Sequence, residues 1–155
     1  MIFFVFWLIG LIVGIITTIV DPSLRTLQTI ALNLLFYQIT ITVTLVGIMG
    51  FVGHVLKSDM VAESIGWPKG SLFQKELGLS ELGWALAGIL AIWYKGVFWI
   101  AIIMLISPLL IGAAIIHINE MRKHKNFEPG NSITVLPDIL IPITLIILSI
   151  LAKIW

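Results

Sequence analysis

Residues 97–118 read VFWIAIIMLISPLLIGAAIIHI, a run of 22 residues without Asp, Glu, Lys or Arg. About 20 apolar residues in an α-helix cross the hydrocarbon core of a membrane, which is about 30 Å thick. The stretch therefore predicts a membrane-spanning helix. The composition agrees, because 59% of the 155 residues are hydrophobic and 11% are charged, against about 45–50% and about 25% in soluble domains. We expect an all-α integral membrane protein.

Four further apolar runs extend this prediction to a bundle of about five transmembrane helices in a single domain, residues 1–155. The first run has no basic region and no small-residue cleavage site, so it is predicted to be a retained span and not a signal peptide. The third is predicted to begin after Ser71, because Gln74 follows at the spacing of a capping box. The predicted spans are residues 1–20, 27–56, 72–94, 97–118 and 137–155.

The distribution of basic residues predicts the orientation of the bundle. Six of the nine Lys and Arg residues lie on the side that holds the loops after the second and fourth spans, and three lie on the other side. Since Lys and Arg favour the cytoplasmic side, we expect a multi-pass protein of the cell membrane with a cytoplasmic amino terminus. The loop 57–71 would then be a cytoplasmic lid.

Charge and cysteine content exclude several classes of function. The net charge is +1, which is too small for a nucleic-acid binder that must neutralise phosphates. The chain has no cysteine, so disulfides, thiolate nucleophiles and iron–sulfur clusters are excluded. The lipid bilayer is the expected partner, and a homo-oligomer or a larger membrane complex is left open.

Ionisable side chains within the spans are the first candidates for a functional site, because they are costly in a membrane. His54, Glu81 and His117 lie on three different predicted helices. Counted from the flanking basic residues Lys57, Lys75 and Arg122, they lie at depths of roughly 4.5, 9 and 7.5 Å, hence at one level. They are predicted to converge in a pocket below the lid. The alternative is that each side chain reaches up to the lipid headgroups.

Polar residues of the neighbouring segments are expected to belong to the same pocket. Asp59 and Glu63 lie four residues apart on the lid, and Glu120 follows His117 by three residues, on the same helix face. Pocket residues are therefore predicted to be His54, Asp59, Glu63, Trp67, Gln74, Glu76, Glu81, His117 and Glu120.

Three kinds of chemistry fit such a pocket. His54, Glu81 and His117 offer nitrogen and oxygen ligands for Zn, Mn or Fe. Two histidines could also ligate haem, and a buried carboxylate beside a neutral imidazole could exchange protons. No phosphate-binding loop, dinucleotide loop or serine-nucleophile motif is present. The cofactor therefore stays open, and so does the question of whether the protein is an enzyme.

The second span has small and polar residues along one stripe. The stripe could line a hydrated path, but small residues and hydroxyls more often serve helix packing. Gly10 and Gly14, and the row Gly47, Gly50 and Gly53, are predicted to be close-contact faces, within the bundle or between copies. The stripe consists of Asn33, Tyr37, Thr40, Thr44, Gly47, Phe51 and His54.

Residues 53–78, GHVLKSDMVAESIGWPKGSLFQKELG, contain a Gly-His pair followed by Asp-x-Val-Ala, Ser-Ile-Gly-Trp-Pro-x-Gly-Ser and Phe-Gln-x-Glu-x-Gly. This run resembles a family of small prokaryotic integral membrane proteins known as a domain of unknown function. Leu72 stands where that family often has Pro. The resemblance supplies no activity. It implies a characteristic surface that includes His54, Asp59, Glu63, Trp67, Pro68, Gln74 and Glu76.

Two function classes follow from these patterns. The first is the binding or transport of a small molecule or ion in the His/Glu pocket, by a transporter or a membrane-embedded enzyme. The alternative is a non-catalytic accessory or assembly subunit of a larger membrane complex or homo-oligomer, suggested by the glycine faces.

Overall fold

A computed structural model describes residues 2–155, and within that range the chain is all-helical. The part described contains six helices. They are α1 (Ile2–Val20), α2 (Leu27–Leu56), α3 (Ser58–Ser64), α4 (Leu72–Leu90), α5 (Val97–Lys123) and α6 (Pro129–Leu151).

Four helices, α1, α2, α5 and α6, are long and apolar enough to cross a membrane. Helix α4 is 19 residues long, but Lys75, Glu76 and Glu81 lie on it. The predicted third span is thus a helix that begins after a Ser71 cap, and its crossing of a membrane stays a prediction.

The outer surface of the bundle is apolar. Ile16, Leu105 and Ile147 are 54%, 61% and 50% exposed, and many other large aliphatic side chains share this property. Soluble monomers rarely expose contiguous apolar patches beyond a few hundred Å². The exterior is therefore compatible with lipid contact.

Helices α2 and α4 pack in antiparallel register through residues without bulky side chains. A Cβ added at Gly47 would lie 2.5 Å from the backbone nitrogen of Ala85, and one at Gly50 would meet the Glu81 carboxyl group. The two backbones approach closely because these positions have no side chain. Facing pairs along the interface are Thr44 and Gly88, Gly47 and Ala85, Gly50 and Glu81, and His54 and Gly78.

The predicted stripe of the second span is divided between two neighbours. Asn33 donates hydrogen bonds to the Gly14 carbonyl and to the Thr17 hydroxyl of α1, whereas Thr44 and Gly47 face α4. A π-helical segment at Gln38–Val43 changes the register between these halves, since a π turn contains an extra residue. The stripe therefore serves packing and does not form one continuous path.

The glycine faces are used within the chain. Gly14 packs against Leu34 of α2, and Gly10 packs against Thr42 of the same helix. Gly47 and Gly50 are covered by α4 as described above. These contacts remove the glycine faces as an argument for self-association.

Each of the last two helices extends beyond one end of the span predicted for it. Helix α6 begins at Pro129, whereas the sequence predicted a start at residue 137. Proline is favourable in the first turn because its missing N–H would be unpaired there, and Pro137 and Pro142 are accommodated inside the helix. Helix α5 continues to Lys123, five residues past the end of the predicted span at residue 118.

Candidate functional site

A cleft of about 940 Å³ lies between the lid segment, residues 57–71, and the adjacent ends of the long helices. Its walls are mostly apolar, with Met60 and Ile65 from the lid, Leu77 from α4 and Ile116 from α5. Polar groups are few. They are contributed mainly by Lys57, His54, Glu81, His117, Gln74 and Asp138.

Glu81 and His54 form a pair on one wall of the cleft. His54 Nδ1 lies 2.5 Å from Glu81 Oε2, and the Glu81 side chain is only 5% exposed. Gly50 leaves the space that the carboxyl group occupies. His54 lies in a second π-helical segment, Val52–Leu56, which turns its side chain toward α4. Glu81 is thus buried against a partner and does not reach the surface of the bundle.

His117 lines another wall and has its own partners. Asn131 Nδ2 donates to the carbonyls of His117 and Asn126, at 3.2 and 3.0 Å. Its Oδ1 therefore faces His117 Nδ1 at 2.7 Å, so Nδ1 is the donor. The Trp67 ring stacks on the imidazole, with centroids 5.5 Å apart.

The predicted three-residue metal set is not assembled. The structure brings His54 and Glu81 together, but His117 is held by Asn131 and covered by Trp67. Within residues 2–155 no three His, Asp or Glu side chains lie close enough together to hold a metal ion. The equal depths placed the three groups at one level, but they did not fix the direction in which each side chain points.

Asp138 of α6 is the principal site residue that the predicted set omitted. It is 2% exposed and borders the cleft. Its Oδ2 has no hydrogen-bond partner in the range that the structure describes. Buried polar groups are nearly always paired, so an unpaired carboxyl oxygen at a cleft requires an explanation. The signal in the sequence was a lone acidic residue inside the last apolar run.

The lid helix α3 is fixed at both of its ends. Gln74 Nε2 donates to the Ser58 carbonyl at 3.0 Å, which ties α3 to the first turn of α4. Asn126 Nδ2 donates to the Ile65 carbonyl at 2.8 Å, which ties the lid to the α5–α6 loop. Gly66, at φ 72°, allows the turn between these two contacts.

Four predicted pocket residues lie outside the cleft lining. Asp59 accepts a hydrogen bond from the Gly70 backbone at 3.2 Å. Glu63 pairs with Lys69 at 2.8 Å and thereby raises the pKa of that exposed lysine. Glu76 is exposed, and Glu120 lies 3.8 Å from His124 on its own helix end. The four carboxylates are therefore outer residues of the lid and helix ends. Of the predicted set, His54, Trp67, Gln74, Glu81 and His117 border the cleft.

Comparison with known proteins places the chain in a family. A family model described as a family of unknown function (DUF6790) matches residues 1–154, so the chain belongs to that family. This agrees with the resemblance to an uncharacterised family. No curated protein matches the chain, and no solved structure matches it.

Proposed function

We propose that this member of the DUF6790 family binds a small amphipathic molecule in the cleft between the lid segment and the helix bundle. The observation that supports this is the cleft itself, about 940 Å³ in volume, with apolar walls and a few buried polar groups. Binding sites for small molecules are typically about 300–1,000 Å³ and have this composition.

The walls indicate which part of a ligand each region would contact. Met60, Ile65 and Leu77 offer apolar surface for a hydrocarbon portion. Asp138 and the His54–Glu81 pair offer hydrogen-bond acceptors at positions shielded from water. A ligand with an apolar body and one polar end fits both regions.

The topology supports a location at the cytoplasmic face of the cell membrane. Helix α2 ends beside the lid, and α4 then runs antiparallel to α2 toward the start of α5. We infer that α4 crosses as well, with Glu81 as the one charged side chain beyond its first two turns, which gives five crossings. The lid end has the larger number of Lys and Arg residues, and Ile2, the first described residue, borders the cleft at that same end.

The proposal is tested by filling the cleft without disturbing the packing. Gly112 borders the cleft, and a Cβ there meets no atom within 4 Å. Gly112→Trp would therefore occupy the cleft. Gly83 is equally free of contacts, is exposed and lies outside the lining, so Gly83→Trp is the matched control.

Binding is measured by isothermal titration of n-octanol into the protein in dodecyl maltoside. Partition of octanol into micelles is common to all variants and cancels when they are compared. We expect saturable binding to wild type and to Gly83→Trp, and its loss in Gly112→Trp. Equal titration curves for the three proteins would contradict the proposal.

A further inference from the structure

We propose that the molecule bound in the cleft has a protonated amine, whose N–H groups donate to the carboxylate of Asp138. This inference rests on the proposed function and specifies its ligand. It starts from Asp138, which borders the cleft, is 2% exposed and has an Oδ2 without a partner among residues 2–155.

The hydrogen-bond partners of the two carboxyl groups in the cleft differ. Glu81 has His54 at 2.5 Å, so its charge has a local partner. For Asp138 the described residues provide no hydrogen bond to Oδ2. A buried carboxylate without a partner is strongly unfavourable, and a charged donor compensates it better than a neutral one does.

Among residues 2–155, the other titratable groups of the cleft do not provide that donor. His117 donates from Nδ1 to Asn131, and His54 is bonded to Glu81. Lys57 borders the cleft but is an exposed residue, with its charge available to water. Two buried carboxyl groups therefore border the cleft, and among residues 2–155 no N–H or O–H group donates to Asp138 Oδ2, so that donor is expected from the ligand.

The cleft that Asp138 borders also has apolar lining from α5. Leu109, Leu110 and Ile116 of α5 border the same cleft. A cation with no hydrocarbon part would leave these walls without contact, whereas an alkyl or aryl chain covers them. The chemical class is therefore a lipophilic primary amine, protonated at neutral pH as lysine is.

The inference is tested with three probes that share an unbranched eight-carbon chain and differ in their polar end group. n-Octylamine, n-octanol and n-octanoate are each titrated at pH 7 into wild type, Asp138→Asn and Glu76→Gln. Glu76 is an exposed carboxylate on α4 outside the cleft, and its variant controls for a general loss of negative charge. N,N,N-Trimethyloctylammonium, a cation without an N–H donor, is the fourth probe.

We expect wild type and Glu76→Gln to bind n-octylamine about tenfold or more tightly than n-octanol, and octanoate least tightly. Asp138→Asn should lose this preference and keep octanol binding. Trimethyloctylammonium should exceed n-octanol in affinity by a smaller factor than n-octylamine does, because it has no N–H group. If Asp138→Asn does not fold, the ranking of the four probes on wild type still decides the question.

Octylamine binding no better than octanol, or a preference unchanged in Asp138→Asn, would overturn the inference. In either case, octanol binding that Gly112→Trp abolishes would leave the proposed function standing. Equal binding of n-octanol by Gly112→Trp and Gly83→Trp would instead refute the proposed function.

Discussion

Replacement of Gly47 by alanine should destabilise the bundle, because α2 and α4 touch at this position. A Cβ there would lie 2.5 Å from two backbone atoms of α4, the Ala85 nitrogen and the Glu81 oxygen, and 3.0 Å from the Ala85 Cα. Backbone atoms cannot rotate away as a flexible side chain can, so the helices must separate. Overpacking of this kind costs about 1–3 kcal/mol.

Gly83→Ala provides the reference, because its Cβ meets no atom within 4 Å. Both variants gain the same helix propensity, up to about 1 kcal/mol, and this gain cancels in their difference. We therefore expect Gly47→Ala to be about 1–3 kcal/mol less stable than Gly83→Ala. The measurement is unfolding in mixed dodecyl maltoside and dodecyl sulfate micelles, followed by circular dichroism. Equal stability of the two variants would refute the close packing of α2 on α4.

Three other predictions concern the cleft walls, the lid and the topology. Asn131→Ala removes the hydrogen bonds to His117 and Asn126 and should cost about 1–3 kcal/mol in the same unfolding assay. Ser132→Ala, which removes a hydroxyl without a partner in the described range, should change stability by less than about 0.5 kcal/mol; equal losses would show that the Asn131 bonds contribute nothing. Asn126→Ala frees the Ile65 carbonyl, so amide hydrogen exchange should accelerate in residues 58–70 and not in α2; unchanged exchange would show that this contact does not hold the lid. In the cysteine-free chain, Lys69→Cys and Lys123→Cys should react with an impermeant maleimide from one side of the membrane, and Lys95→Cys from the other; labelling of all three from one side would contradict five crossings.

The helices were predictable from the sequence because uncharged runs of membrane length leave few alternatives. The cap at Ser71 was equally readable, and it is present. The start of α6 was not predicted, because the last span was counted from Pro137, and the eight residues before it, PGNSITVL, place Asn, Ser and Thr among apolar residues. In the structure Pro129 opens the helix and Asn131 is buried against His117.

The sequence predicted how deep each site residue lies along its helix, but not the direction in which its side chain points. Counting residues from the flanking charges placed His54 and Glu81 at one level, and the structure brings these two together. The rotation of each helix about its own axis decides which neighbour a side chain meets. For α2 this rotation depends on two π-helical segments that no residue pattern indicated. His117 consequently meets Asn131 and Trp67 instead of joining a metal set.

The most direct test of cleft binding is photolabelling with n-octanol that has a diazirine on its chain, followed by mass spectrometry of the adducts. The account predicts adducts on residues that border the cleft and are not exposed on the outer surface, such as Ala62, Leu77 and Leu110, and their disappearance in Gly112→Trp but not in Gly83→Trp. Adducts confined to outward-facing residues such as Ile143 and Ile147, and unchanged in Gly112→Trp, would contradict it.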